Sequence, residues 1–150
     1  MTPIADFLKT SRLFLLGSLA FVPPFALAAD EATLTVTLKN VRDASGAVRA
    51  GLYREPATFR KEEKAVEVAQ VPAAPGEVTL SFAGLPPGRY AIMAYHDENG
   101  DGQLNRRFGM FPTEGYGLSN NPQVSGPPAF EDSAFEVAGP ATAIAIELRY

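Results

Sequence analysis

The chain has 150 residues, is 46% hydrophobic, carries a formal net charge of −4, and contains no cysteine, no tryptophan and 1 histidine. Without cysteine there are no disulfides, thiolate metal centres or cysteine nucleophiles, and one histidine cannot build a multi-histidine zinc site. A mildly acidic chain with no grouped Lys and Arg also makes a poor nucleic-acid binder, because phosphate contacts need clustered cations.

Residues 1–28 read as a secretory signal peptide. Lys9 and Arg12 form a short basic region, and Leu13 to Val22 form an apolar run too short to span a bilayer comfortably. Pro23 and Pro24 break any helix, and Ala26-Leu27-Ala28 supplies the small-x-small pattern before a cut. The expected mature protein, 29–150, is one exported domain in the periplasm or extracellular space, with no membrane association once the peptide is removed.

Strands dominate that domain. Thr33-Leu34-Thr35-Val36-Thr37-Leu38 alternates polar and apolar residues, as a half-buried strand does. Gly46 marks a turn before a second strand, in which Val48, Ala50 and Leu52 share a face. Glu55 to Glu63 is charged, contains Pro56, and is expected to be a loop with one helical turn around Phe59. A third strand is expected near Ala65–Val71. After the Pro72–Gly76 turn, Val78, Leu80 and Phe82 line a fourth. Leu85-Pro86-Pro87-Gly88 is a sharp turn, with proline fixing φ, and Tyr90–Tyr95 is a fifth strand. From Asn99 to Phe130 the chain is rich in Gly, Pro and Asn, yet carries Phe108, Met110, Phe111, Tyr116, Leu118 and Phe130, so this long loop should be ordered and packed. Final strands are expected near Ala134–Val137 and Ala141–Arg149. About seven short strands with regular turns point to an all-β fold, a single antiparallel β-sandwich of prealbumin-like or immunoglobulin-like type with one long ordered loop.

Three passages carry a resemblance. They are Phe82-Ala83-Gly84-Leu85-Pro86-Pro87-Gly88-Arg89-Tyr90, His96-Asp97-Glu98-Asn99-Gly100-Asp101-Gly102, and Pro112-Thr113-Glu114-Gly115-Tyr116-Gly117 with Ser119-Asn120-Asn121. Together with Gly126-Pro127-Pro128 and Phe130-Glu131-Asp132, they make the chain resemble the exported bacterial family called domain of unknown function 2141. The resemblance implies an exported β-rich domain and no particular activity. Taken alone, the Leu-Pro-Pro-Gly-x-Tyr turn is similar to prealbumin-like sandwiches such as carboxypeptidase regulatory-like domains. The Asp-x-Asn-x-Asp-Gly segment resembles the calcium loops of dockerins.

That last segment is the leading candidate for a cofactor, calcium. Asp97, Asn99 and Asp101 place oxygen-bearing side chains at alternate positions, and Gly102 permits the sharp turn. Gln103 would offer its carbonyl and Asn105 a water-bridged contact. Phe108 occupies the position where a bidentate acid belongs, so another carboxylate must come from Glu114, Glu131 or Asp132. Arg106 and Arg107 would repel an ion, and the alternative is a set of Asx turns with no metal.

Two further readings concern the same region. Tyr95, His96, Tyr116, Asn120 and Phe130, with Phe111, Asn121 and Glu131, could line a groove for a glycan or peptide. His96 could instead act as a general base oriented by Glu114 or Asp132 in a small hydrolase, although no nucleophile motif accompanies it. The expectation is a non-enzymatic domain that binds an envelope protein or glycan, or supports the cell envelope.

Overall fold

The computed structural model describes residues 31–150, so the segment assigned to export lies outside the described residues. Ten strands and one short helix follow in order: β1 (Ala32–Val41), β2 (Ala47–Tyr53), β3 (Glu67–Pro72), β4 (Gly76–Leu85), β5 (Gly88–Asp97), β6 (Arg106–Arg107), β7 (Phe111–Pro112), β8 (Tyr116–Leu118), α1 (Phe130–Ser133), β9 (Phe135–Val137) and β10 (Ala141–Glu147). A single 3₁₀ turn at Glu62–Lys64 interrupts the connection before β3.

One layer is a three-stranded sheet in the order β10-β1-β4. The other runs β3-β2-β5-β8, with β9 also paired to β5. The fold is an all-β sandwich. Every pairing in the larger layer is antiparallel, as is β1 with β4, but β1 and β10 run parallel. The reason lies in the connection. Residues 138–140 carry the chain from one sheet to the other, and the Thr33 N–H bonds the Pro140 carbonyl at 3.0 Å, so β10 enters at the end where β1 begins.

The alternation in β1 sets the core. Ala32, Leu34, Val36 and Leu38 have no exposed surface, whereas Thr33 is exposed. They meet Val48, Ala50 and Leu52 of β2, Tyr90, Ile92 and Ala94 of β5, and Ile146. Each buried Leu or Ile contributes about 1.5–3 kcal/mol, which makes this layer interface the main source of stability. The Pro86-Pro87 turn is held from the core side, because the Tyr90 hydroxyl donates back to the Pro86 carbonyl at 2.7 Å.

β5 differs from the other strands. It is buried continuously from Tyr90 through Asp97. Its inner residues join the sandwich core. Ala91 and Met93 on its outer face join a second cluster with Tyr53, Phe59, Leu118 and Phe130. The rings of Tyr53 and Phe59 meet edge-on at 5.5 Å, and those of Phe59 and Phe130 at 5.8 Å. The long connection is therefore packed against the outer face of the larger sheet, as expected, and within it lie three elements the pattern did not announce: the β6–β7 hairpin, β8 and α1.

Candidate functional site

The connection leaves β5 at Asp97, whose position is set by a close backbone approach. Gly46 has φ +62°, and a Cβ there would overlap the Asp97 carbonyl. The buried Asp97 carboxylate then caps the loop, Oδ1 accepting the Asp101 N–H at 3.0 Å and Oδ2 the Gly102 N–H at 2.8 Å. Asn99 Oδ1 accepts the Asp101 N–H at 3.1 Å, and Asp101 Oδ1 accepts the Gln103 N–H at 2.9 Å. Asp101 Oδ2 receives the side-chain amides of Asn99 at 3.1 Å and Asn105 at 2.9 Å. Hydrogen bonds from Asn105 and then Gln103 and Asn99 hold the Asp101 carboxyl below its ordinary range.

Glu114 lies beneath this loop. It is 6% exposed, and its two oxygens accept the N–H groups of Glu98 and Asn105, each at 3.0 Å. One carboxylate thus ties the start of the loop to its end. Asp97, Asn99, Asp101, Gln103, Asn105 and Glu114 are brought together as the sequence suggested. Glu131 and Asp132 are not. Glu131 pairs with Arg89 at 2.6 Å, and Asp132 accepts the Ala129 N–H at 2.8 Å, capping α1. Arg89 is the second residue of β5 and Asp97 its last, a separation of roughly 26 Å at about 3.3 Å per residue.

The donor chemistry decides how a cation would be met. The carboxylates of Asp97 and Glu114 are occupied by backbone N–H groups, which is how loops are fixed without an ion. Among the described residues, no three His, Asp or Glu side chains are grouped as metal ligands. A cation would find Asp97, Asp101 and the Gln103 carbonyl. The amide oxygens of Asn99 and Asn105 would serve only after their amide groups turn over.

His96 does not face the groove expected for it. Neighbours along a strand point to opposite faces, so Tyr95 turns outward while His96 enters the inner layer, fully buried. Its Nε2 lies 2.7 Å from the Ser45 carbonyl and its Nδ1 2.9 Å from the Tyr150 hydroxyl, which also accepts the Arg42 N–H at 2.9 Å. Both ring nitrogens serve the fold and pin the β1–β2 connection to β5. Glu114 and Asp132, the carboxylates considered as its partners, are bonded elsewhere.

Asn120 and Phe130 also leave the expected groove. Phe130 is 4% exposed inside the second cluster. The Ser119-Asn120-Asn121 run is a set of staples. Ser119 Oγ accepts the Ile92 N–H at 2.9 Å and donates to the Ser133 carbonyl at 2.5 Å. Asn120 donates to the Ala134 carbonyl at 2.7 Å, and Asn121 Oδ1 accepts the Glu147 N–H at 2.8 Å. Asn120 and Asn121 both have positive φ, which Asn tolerates better than most residues. Gly117 permits the approach of β10 here, because a Cβ would sit 2.6 Å from the Glu147 carbonyl oxygen.

What remains is a groove over the outer face of the larger sheet. Its wider part has a volume near 650 Å³ and is lined by Phe59, Met93, Leu104, Tyr116 and Leu118, with Met110 and Phe111 on the β6–β7 hairpin forming one wall. A narrower part of about 180 Å³ continues toward Tyr95, Tyr53 and Glu62. Tyr95, Tyr116 and Phe111 are thus the three expected groove residues that the fold places here. Missed from sequence were Met93, Leu104 and Arg60, which lie on three separate stretches. The Tyr95 hydroxyl is buried and makes no hydrogen bond of sound geometry, although it faces the Arg49–Glu62 ion pair. Burial first, and then hydrogen-bonding contact with Glu62 and its charge, push the Tyr95 phenol well above its ordinary range. Burial first, and then the charges of Glu62 and Glu63, push Tyr53 up to about 12.

A family of uncharacterized proteins conserved in bacteria, DUF2141, matches residues 36–145. The chain belongs to this family. The match takes in both sheets, the Asp97 loop and the groove, so the DUF2141 region includes every element described above except the start of β1 and the end of β10. No curated protein and no solved structure matches the chain.

Proposed function

We propose that this DUF2141 protein is an exported, non-enzymatic binding domain that holds its ligand in the groove over the outer face of the β3-β2-β5-β8 sheet. The observation that carries this reading is the groove itself. A cleft near 650 Å³ falls within the usual range for ligand sites, and its floor is built on sheet strands, Met93 on the inner strand β5 and Leu118 on the adjoining β8. The hydrogen bonds at both ring nitrogens of His96 support a structural role for that residue. Export rests on the basic, apolar and small-residue order of residues 1–28.

In this reading the Asp97–Asn105 loop is a support. It ends beside Leu104 and Arg106, both of which line the groove. Calcium is proposed as an accessory to that support, with Asp97, Asn99, Asp101, the Gln103 carbonyl and Asn105 as its oxygen donors. It would carry no chemistry beyond neutralising the two carboxylates and stiffening the loop.

The chain has no tryptophan, so Phe111→Trp, at a position 62% exposed, places a single indole on the groove wall. Titration with envelope glycans, peptides and apolar small molecules should produce a saturable emission shift for one class. A control indole at Val66 should stay silent. An equal response from Val66→Trp, or none from Phe111→Trp with any class, would refute the groove as the binding site.

A further inference from the structure

The two parts of the groove share Arg60, Met93, Leu104 and Arg106, so they form one continuous depression with two different ends. The narrow end is polar. It carries Arg60 and Arg106 beside Tyr95, a residue only 4% exposed whose hydroxyl faces the Arg49–Glu62 pair. Glu62 also borders it, but Arg49 neutralises that carboxylate. Among the described residues, no ion pair engages Arg60, Lys61, Arg106 or Arg107. This end is therefore locally cationic on a chain whose net charge is −4.

The wide end is apolar. Its floor is Met93 and Leu118 with Phe59 at the side, and the hairpin adds Met110 and Phe111, left 68% and 62% exposed. Two large apolar side chains held open to water beside a concave floor gain free energy when another apolar body covers them.

We propose that the groove takes a single-chain anionic amphiphile of the fatty-acid class. Its carboxylate lies between Arg60 and Arg106, and its alkyl chain lies over Met93 and Leu118 against Met110 and Phe111. This deepens the binding reading above and rests on it. Charge complementarity selects an anion over a neutral glycan, and the concavity selects one molecule over a bilayer. A flat bilayer would meet the hairpin, where Phe108 stands 82% exposed, and would not reach the concave floor of Met93 and Leu118.

The test is calorimetric titration of the folded protein with octanoate, decanoate and dodecanoate below micelle formation, and with dodecanol as the neutral analogue. Dodecanoate should bind once and saturably. Affinity should rise about fourfold per added methylene until the groove is full. Dodecanol should bind at least about tenfold more weakly, the scale of a lost charge-assisted contact. The Arg60→Ala/Arg106→Ala double variant should erase that preference, bringing dodecanoate to the affinity of dodecanol, whereas Met110→Asp, at an exposed site, should weaken both.

Equal binding of dodecanol and dodecanoate would overturn the anionic class and leave the groove standing. Absence of both, with a glycan or peptide still shifting the Phe111→Trp emission, would also overturn the class alone. Absence of both with a silent reporter would bring down the groove reading too. Sedimentation with phosphatidylglycerol vesicles that is lost in Phe108→Ser, without binding of monomeric dodecanoate, would reassign the hairpin to membrane docking and overturn the proposal.

Discussion

Replacing Glu114 with Ala should loosen the loop that borders the groove. In the native fold, both Glu114 oxygens accept backbone N–H groups, from Glu98 and Asn105, at 3.0 Å each, in a side chain only 6% exposed. A hydrogen bond to a charged acceptor contributes about 1.5–3 kcal/mol. The two donors are partly buried, so water would recover some of that on truncation, and the expected loss is about 3 kcal/mol. Against a typical domain stability of about 5–15 kcal/mol this is a large share, and Tm should fall by about 10 °C or more. Glu114→Gln keeps one carbonyl acceptor but turns an NH₂ toward the other donor, so it should lose at least half as much. Urea unfolding followed by tyrosine near-UV circular dichroism measures the stability, and hydrogen exchange at the Glu98 and Asn105 amides reports the staple directly. A Glu114→Ala protein within about 0.5 kcal/mol of the parent, with those amides equally protected, would refute the staple.

His96→Gln should lower stability by about 1–3 kcal/mol through the Ser45 and Tyr150 contacts, with groove affinity unchanged; a loss of ligand binding at full stability would restore a functional role for the imidazole. At alkaline pH, the raised Tyr53 phenol, at about 12, favours the neutral side chain in the fold. That contribution is fully present below the ordinary phenol value near 10 and is lost as pH rises through the folded value, by at most about 2.7 kcal/mol. Tyr53→Phe should flatten this limb of the stability profile, and an unaltered limb would contradict it. For calcium, a Kd of about 10⁻⁴ to 10⁻³ M, usual for extracellular modules, gives about 0.6–1.8 kcal/mol at 2 mM, or a rise of several degrees in Tm. Asp101→Ala should abolish the rise, and an unchanged Tm in the parent would remove the ion.

Much of the sandwich was legible because β1, β4 and β10 alternate with period two, and period two needs no knowledge of partners. The packing of the long connection was legible too, through Tyr116, Leu118 and Phe130, whereas Phe108, Met110 and Phe111, expected to be covered with them, stay exposed on the hairpin. The elements of that connection were not legible. β6, β7 and β8 are 2 or 3 residues long, too short for any periodicity. The parallel pairing of β10 was hidden because it depends on which sheet the chain enters after Val137.

At the site, Glu114 was legible only as one of three downstream acids that could complete the loop, beside Glu131 and Asp132. Glu131 and Asp132 were misassigned because carboxylates near in sequence need not be near in space, although Asp132, three residues after Ala129, has the spacing of a helix cap. Tyr95 and His96 could have been separated by continuing the strand's alternation through both. Asn120 and Asn121 read as ligand contacts because an amide that staples a loop looks the same in sequence as one that holds a sugar. The groove floor was invisible for a different reason: Met93, Leu104 and Leu118 come together only through folding, and each alone reads as core.

The account depends most on where the ligand sits. Amide ¹H–¹⁵N spectra of the labelled protein titrated with dodecanoate test that directly. The account predicts shifts concentrated at Met93, Leu104, Met110, Tyr116 and Leu118, with β1, β4 and β10 unmoved. Shifts confined to the three-stranded sheet or to the Asp97–Asn105 loop would contradict it.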